Sequence, residues 1–128
     1  MDTRIVDLFI EENDAWDDMI IRQKSEIPTL EKMLSDVVIE RKNIGENALA
    51  NVRFLKKEMS NQEEHMGALR EELAKQQNYQ EKKKKADGDE FAINTVSSQN
   101  ILREKIRSVE RTFIDLKCNF LNYMATIL

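Results

Sequence analysis

The feature that most constrains this chain lies near its C-terminus. Counting alternate steps of four and three from Leu102 meets Ile106, Val109, Phe113, Leu116, Phe120, Tyr123 and Ile127, eight apolar residues in successive a and d positions of a heptad. On a helix that spacing gathers the side chains into one stripe, whereas on a strand it scatters them over both faces. The segment therefore predicts a helix that packs against another helix. Ile114, Cys118, Leu121 and Met124 widen the stripe toward the C-terminus beyond the needs of a two-stranded seam, which predicts more than one neighbour there.

Two further apolar tracks lie upstream. One runs through Ile27, Leu30, Leu34, Val37, Ile44, Ala48 and Leu55, interrupted by Arg41 and Asn51; the other runs through Val52, Leu55, Met59, Met66, Leu69 and Leu73. The steps Ile44, Ala48, Val52, Leu55 form a stutter that locally unwinds a coiled coil. Gly45 makes a break near "NIGEN" conceivable at about 1 kcal/mol relative to alanine, but the tracks favour one uninterrupted helix over about 29–85. Pro28 removes a backbone donor and disfavours helical angles at Ile27, so the first helix is expected over about 3–24, with Ser25 capping the next. A single helix kinked at Pro28 is the alternative, because the apolar phase crosses the proline without slipping.

The stretch "KKKKADGDEF" marks a turn at 86–89. Lys82 to Lys85 suit a helix C-terminus, and Asp87 with Glu90 has the spacing of a capping box for a last helix over about 90–127. The expected fold is all-α: one domain, 1–128, forming an elongated coiled-coil or helical-hairpin rod of two or three helices, with the long middle helix antiparallel to its neighbours. Asn13, Arg41, Asn51 and Gln62 interrupt the apolar tracks, where polar residues can fix register at some cost in stability.

Composition narrows the function. Of 128 residues 41% are hydrophobic and 34% charged, with one proline and three glycines, too little turn punctuation for a multi-stranded fold and too much charge for a membrane span. A net charge of -4 argues against general nucleic-acid binding, which depends on neutralising phosphates. Arg103, Arg107 and Arg111 share a face, but Glu104 and Glu110 are interleaved. Cys118, the only cysteine, excludes an internal disulfide, and no secretory leader is readable, so cytoplasm is expected, with the nucleus as alternative. His65 has no companion ligands at metal-binding spacing, and no nucleophile–base grouping or phosphate loop occurs; no catalytic residue, metal or cofactor is expected.

The chain's only tryptophan sits in "FIEENDAWDDMII" among acidic residues. On a helical wheel Trp16 nevertheless joins Ile5, Leu8, Phe9, Met19 and Ile20 on one broad face, with Glu11, Asp14 and Asp18 pointing away. Phe9, Trp16 and Ile20, together with Leu102, Ile106, Val109, Phe113, Leu116, Phe120, Tyr123 and Ile127, are thus the expected interaction residues. The expected function is a non-enzymatic coiled-coil scaffold that meets protein partners by helix packing, as a homo- or hetero-oligomer within a larger cytosolic or cytoskeletal assembly. The alternative is a small nucleic-acid or chromatin-associated factor using the local basic patch.

Overall fold

A computed structural model describes residues 3–41, 44–83 and 89–127. They form three helices of nearly equal length: α1, Thr3–Glu40; α2, Glu46–Lys83; and α3, Asp89–Ile127. The turn expected at 86–89 and the Asp87–Glu90 capping box involve positions outside the described residues.

Side-chain contacts fix the topology. Asn13 near the start of α1 bonds Gln80 near the end of α2, and Tyr123 near the end of α3 donates to the Ala48 carbonyl at the start of α2, so α2 is antiparallel to both neighbours. Lys117 pairs with Glu26, and Arg103 with Glu12, so α1 and α3 run parallel. The chain is an up-down-up three-helix bundle.

The expected helix boundaries need correction at two places. Pro28 does not end a helix: α1 runs through it. The proline ring is exposed, while Ile20, Ile27, Leu30 and Leu34 on either side are buried in unbroken phase. Burying each such side chain is worth roughly 1.5–3 kcal/mol, enough together to offset the bond that Pro28 cannot make. Ser25 is accordingly no cap; its hydroxyl donates back to the Arg22 carbonyl, 2.7 Å away. The break falls instead between α1 and α2, dividing the expected 29–85 helix where the heptad would bring Arg41 into the seam. Arg41 is exposed there.

The core follows heptads on all three helices. In α1 it includes Val6, Asn13, Ile20, Ile27 and Leu34, seven apart; in α2 the alternation Val52, Leu55, Met59, Gln62, Met66, Leu69, Leu73 holds without slip; in α3 it takes Gln99, Leu102, Ile106, Phe113, Leu116 and Phe120. The apolar members from Ile20 to Met124 form one continuous cluster.

Candidate interaction site

Most of the residues expected to bind a partner are occupied within the chain itself. Ile20, Leu102, Ile106, Phe113, Leu116 and Phe120 are buried between the three helices, and Trp16, Val109, Tyr123 and Ile127 are half-buried against the same cluster. Phe9 is half-buried on α1. The strongest apolar seam in the sequence is thus satisfied intramolecularly. Tyr123 shows how: its ring packs on the core, its hydroxyl donates to Ala48 at 2.8 Å, and burial raises its pKa.

At the end of the rod that holds the start of α1, the core turns polar. Asn13, Gln80 and Gln99, one from each helix and each at most 1% exposed, form a closed ring. Asn13 Nδ2 donates to Gln80 Oε1 at 3.0 Å, Gln80 Nε2 to Gln99 Oε1 at 2.9 Å, and Gln99 Nε2 to Asn13 Oδ1 at 2.9 Å. An amide suits this role because it carries donor and acceptor on one planar group, so three of them can close a cycle. Gln99 Nε2 also donates to Glu12 Oε1 at 2.8 Å, and Arg103 holds both oxygens of that carboxylate at 3.1 and 2.7 Å. Burial works to raise the Glu12 pKa, but the Arg103 and Gln99 hydrogen bonds outweigh it and hold the carboxyl below 4.5. The Arg103 guanidinium lies 5.9 Å from the centre of the Trp16 ring, within cation–π range.

The acidic surroundings of Trp16 are therefore divided by direction. Glu12 closes the polar layer toward α3, Asp17 takes Arg70 of α2 at 2.7 Å, and Glu11, Asp14 and Asp18 are exposed. Of the polar residues flagged in the apolar tracks, Asn13 and Gln62 are buried, the latter donating to the Val109 carbonyl at 2.9 Å, whereas Arg41 and Asn51 are exposed. Gln80 and Gln99 were not anticipated. The signal was present, seven residues after Leu73 and three before Leu102, but glutamine in so polar a chain does not stand out.

Large apolar side chains are exposed singly on α1 and α2, among them Leu8, Ile39 and Phe54, whereas the outer face of α3 carries a row of them. Ile114 (50% exposed), Cys118, Leu121 (53%) and Ala125 follow one another by steps of four, three and four, a second apolar row facing away from the bundle. Met124, beside this row, is buried, so only part of the predicted widening serves the core. Toward the N-terminus of α3 the same face becomes basic through Arg103, Arg107 and Arg111. Arg103 is engaged by Glu12 and Arg107 by Glu104 at 3.1 Å, so the expected basic patch is partly neutralised in place. Lys82 is exposed; the side chains of Lys83 to Lys85 lie outside those described.

His65 is exposed at the mouth of a shallow cavity of about 310 Å³ between α2 and α3, beside Glu72 and Lys105, which pair at 2.6 Å. Among the described residues no group of three or more His, Cys, Asp or Glu converges as a metal site would require, and no helix is long and apolar enough to cross a membrane. Comparison with family models, curated proteins and solved structures gives no match to this chain.

Proposed function

We propose that the chain is a non-enzymatic helical interaction module: a rod that folds its own heptad seam inward and offers the outer row of α3 to a partner helix in a larger assembly. The observation that carries this reading is the Ile114–Cys118–Leu121–Ala125 row, whose spacing repeats the a/d geometry of a coiled-coil seam on the face of α3 turned away from the core. Isolated exposed apolar residues are ordinary; a row in heptad phase is what a helix docking into a groove needs. The adjoining Arg107 and Arg111 suit a partner helix whose apolar stripe is followed by acidic residues, by charge complementarity. A cytoplasmic or cytoskeletal setting belongs to the same proposal.

The test compares wild type with an Ile114→Asp/Leu121→Asp double variant, both immobilised and exposed to a cell extract. Because both side chains are about half exposed, the variant is expected to keep the wild-type helix content and melt within a few degrees. It should lose a defined subset of the helical proteins that wild type retains. Retention of the same set by both would contradict this reading.

A further inference from the structure

We propose that residues 4–16 of α1 form a latch that swings away from α2 and α3 as one unit, parting at the Asn13–Gln80–Gln99 layer, while the rest of the rod stays closed. Glu12 is the catch that holds it shut. Opening uncovers the groove between α2 and α3 at that end of the rod and releases Arg103.

Three observations lead there. The continuous apolar core of the described residues stops short of the amide layer on every helix, at Ile20 on α1, Leu73 on α2 and Leu102 on α3, and Val6, buried beyond the layer, stands outside that cluster. The layer is thus a boundary in the packing. When α1 leaves, Asn13, Gln80 and Gln99 exchange their mutual hydrogen bonds for bonds to water, so parting them costs less than hydrating an apolar layer. Next, one turn earlier on α3, the Thr95 hydroxyl oxygen is buried without a hydrogen-bond partner among the described residues, and opening gives it water. Finally, the charged ties of this end converge on one side chain. Glu12 accepts from Gln99 Nε2 at 2.8 Å and from Arg103 Nε and Nη2 at 3.1 and 2.7 Å, so both oxygens of its carboxylate fasten α1 to α3 beside the layer. Bonds to ionised groups are stronger than bonds between amides, so Glu12 sets how often the layer parts.

Opening also changes what α3 presents. In the closed rod Arg103 is held by Glu12 and lies over the Trp16 ring. Released, it stands one turn before Arg107 and two turns before Arg111, both exposed, and completes a basic stripe along one side of α3. The latch therefore couples the docking of α1 to the charge on the neighbouring helix.

The experiment follows amide hydrogen exchange of the full chain, residue by residue, in rising urea below the unfolding transition. It compares wild type with Glu12→Gln, Glu26→Gln and Asn13→Leu/Gln80→Leu/Gln99→Leu. In wild type the amides at 8–16 should share one opening equilibrium and one dependence on urea, with an open population at least about tenfold above that of 20–37. Glu12→Gln should speed exchange at 8–16 together by about tenfold and leave 20–37 unchanged. Glu26→Gln removes the Lys117 pair from the same α1–α3 seam but beside the apolar core, and should leave 8–16 unchanged. The leucine layer should remove the step and bring 8–16 to the protection of 20–37. Exchange that rises smoothly toward residue 8 without a shared equilibrium would be simple fraying and would overturn the proposal. So would Glu12→Gln acting on neither segment or equally on both, Glu26→Gln moving 8–16 as far as Glu12→Gln does, or a step that survives in the leucine layer.

Discussion

At the scale of single residues, Gln99 ties α3 to both other helices, because its amide NH2 donates to Glu12 and Asn13 of α1 and its carbonyl oxygen accepts from Gln76 and Gln80 of α2. Gln99→Leu would leave Gln80 Nε2 and Asn13 Oδ1 buried without their partners, although Asn13 Nδ2 still donates to Gln80 Oε1, at about 1–3 kcal/mol for each orphaned atom. We expect urea denaturation to report a loss of about 3 kcal/mol or more. The combined Asn13→Leu/Gln80→Leu/Gln99→Leu variant should recover most of this, since an apolar layer orphans nothing within the ring, but with poorer definition of register. Two carboxyls give opposite pH signatures. Glu12 is held below 4.5, so its stabilisation is present above that value and is lost as pH falls through its folded pKa. Glu31 is raised by burial and by its hydrogen bond with the Glu63 carboxyl, with Lys56 pulling the other way, so its favourable contribution exists below 4.5 and is lost as pH rises through its folded pKa. Glu31→Gln should therefore stabilise the bundle at pH 7 and have little effect at pH 4. Glu12→Gln should destabilise it at pH 7, with the difference shrinking below pH 4.5. Denaturation midpoints measured across this range decide both signs.

At the scale of elements, the three helices show what heptad phase specifies and what it leaves open. Pro28 tests the balance between local and tertiary terms. It stands on the exposed side of α1 and removes one backbone bond, so Pro28→Ala should raise stability by about 1–2 kcal/mol, part of the nominal 3 kcal/mol being returned through the freer unfolded chain. A decrease on thermal denaturation would mean that the proline shapes α1 in a way the packing requires. The all-α fold, α3 from Leu102 to Ile127 and the α2 track from Val52 to Leu73 were all legible, because 3-4 spacing is a property of one helix alone. The α1–α2 break was not. Gly45 and Arg41 weaken a continuous helix only slightly, and the fold of the chain back on itself is decided by the gain from closing a three-helix core, which spacing does not express. For the same reason Phe113, Phe120 and their seam read as a surface for partners: periodicity shows that a face must be covered, not whether the same chain covers it. The outer row Ile114, Cys118, Leu121 was visible only as a widening of that stripe. Its outward direction became clear once α1 and α2 were set against the other side of α3.

At the scale of the whole molecule, direction and register are written in the charges flanking the seams. Parallel α1 and α3 are bridged by Glu12–Arg103 and Glu26–Lys117, fourteen residues further along on both helices; antiparallel α1 and α2 are bridged by Asp17–Arg70, and α2 and α3 by Glu72–Lys105. Exposed pairs of this kind contribute little to stability, roughly 0–1 kcal/mol each, but a reversed or shifted helix would mismatch them. The buried amide ring enforces the same alignment at much higher cost for error. The central claim is that one chain closes into this up-down-up rod and leaves the outer face of α3 free. Zero-length carbodiimide coupling, which joins only lysines and carboxylates already in contact, tests it most directly when the monomeric fraction is digested and mapped by mass spectrometry. Glu26–Lys117 and Glu72–Lys105 links within single chains are the predicted result; links from Lys117 to carboxylates near the start of α1, or absence of both links from monomeric protein, would contradict it.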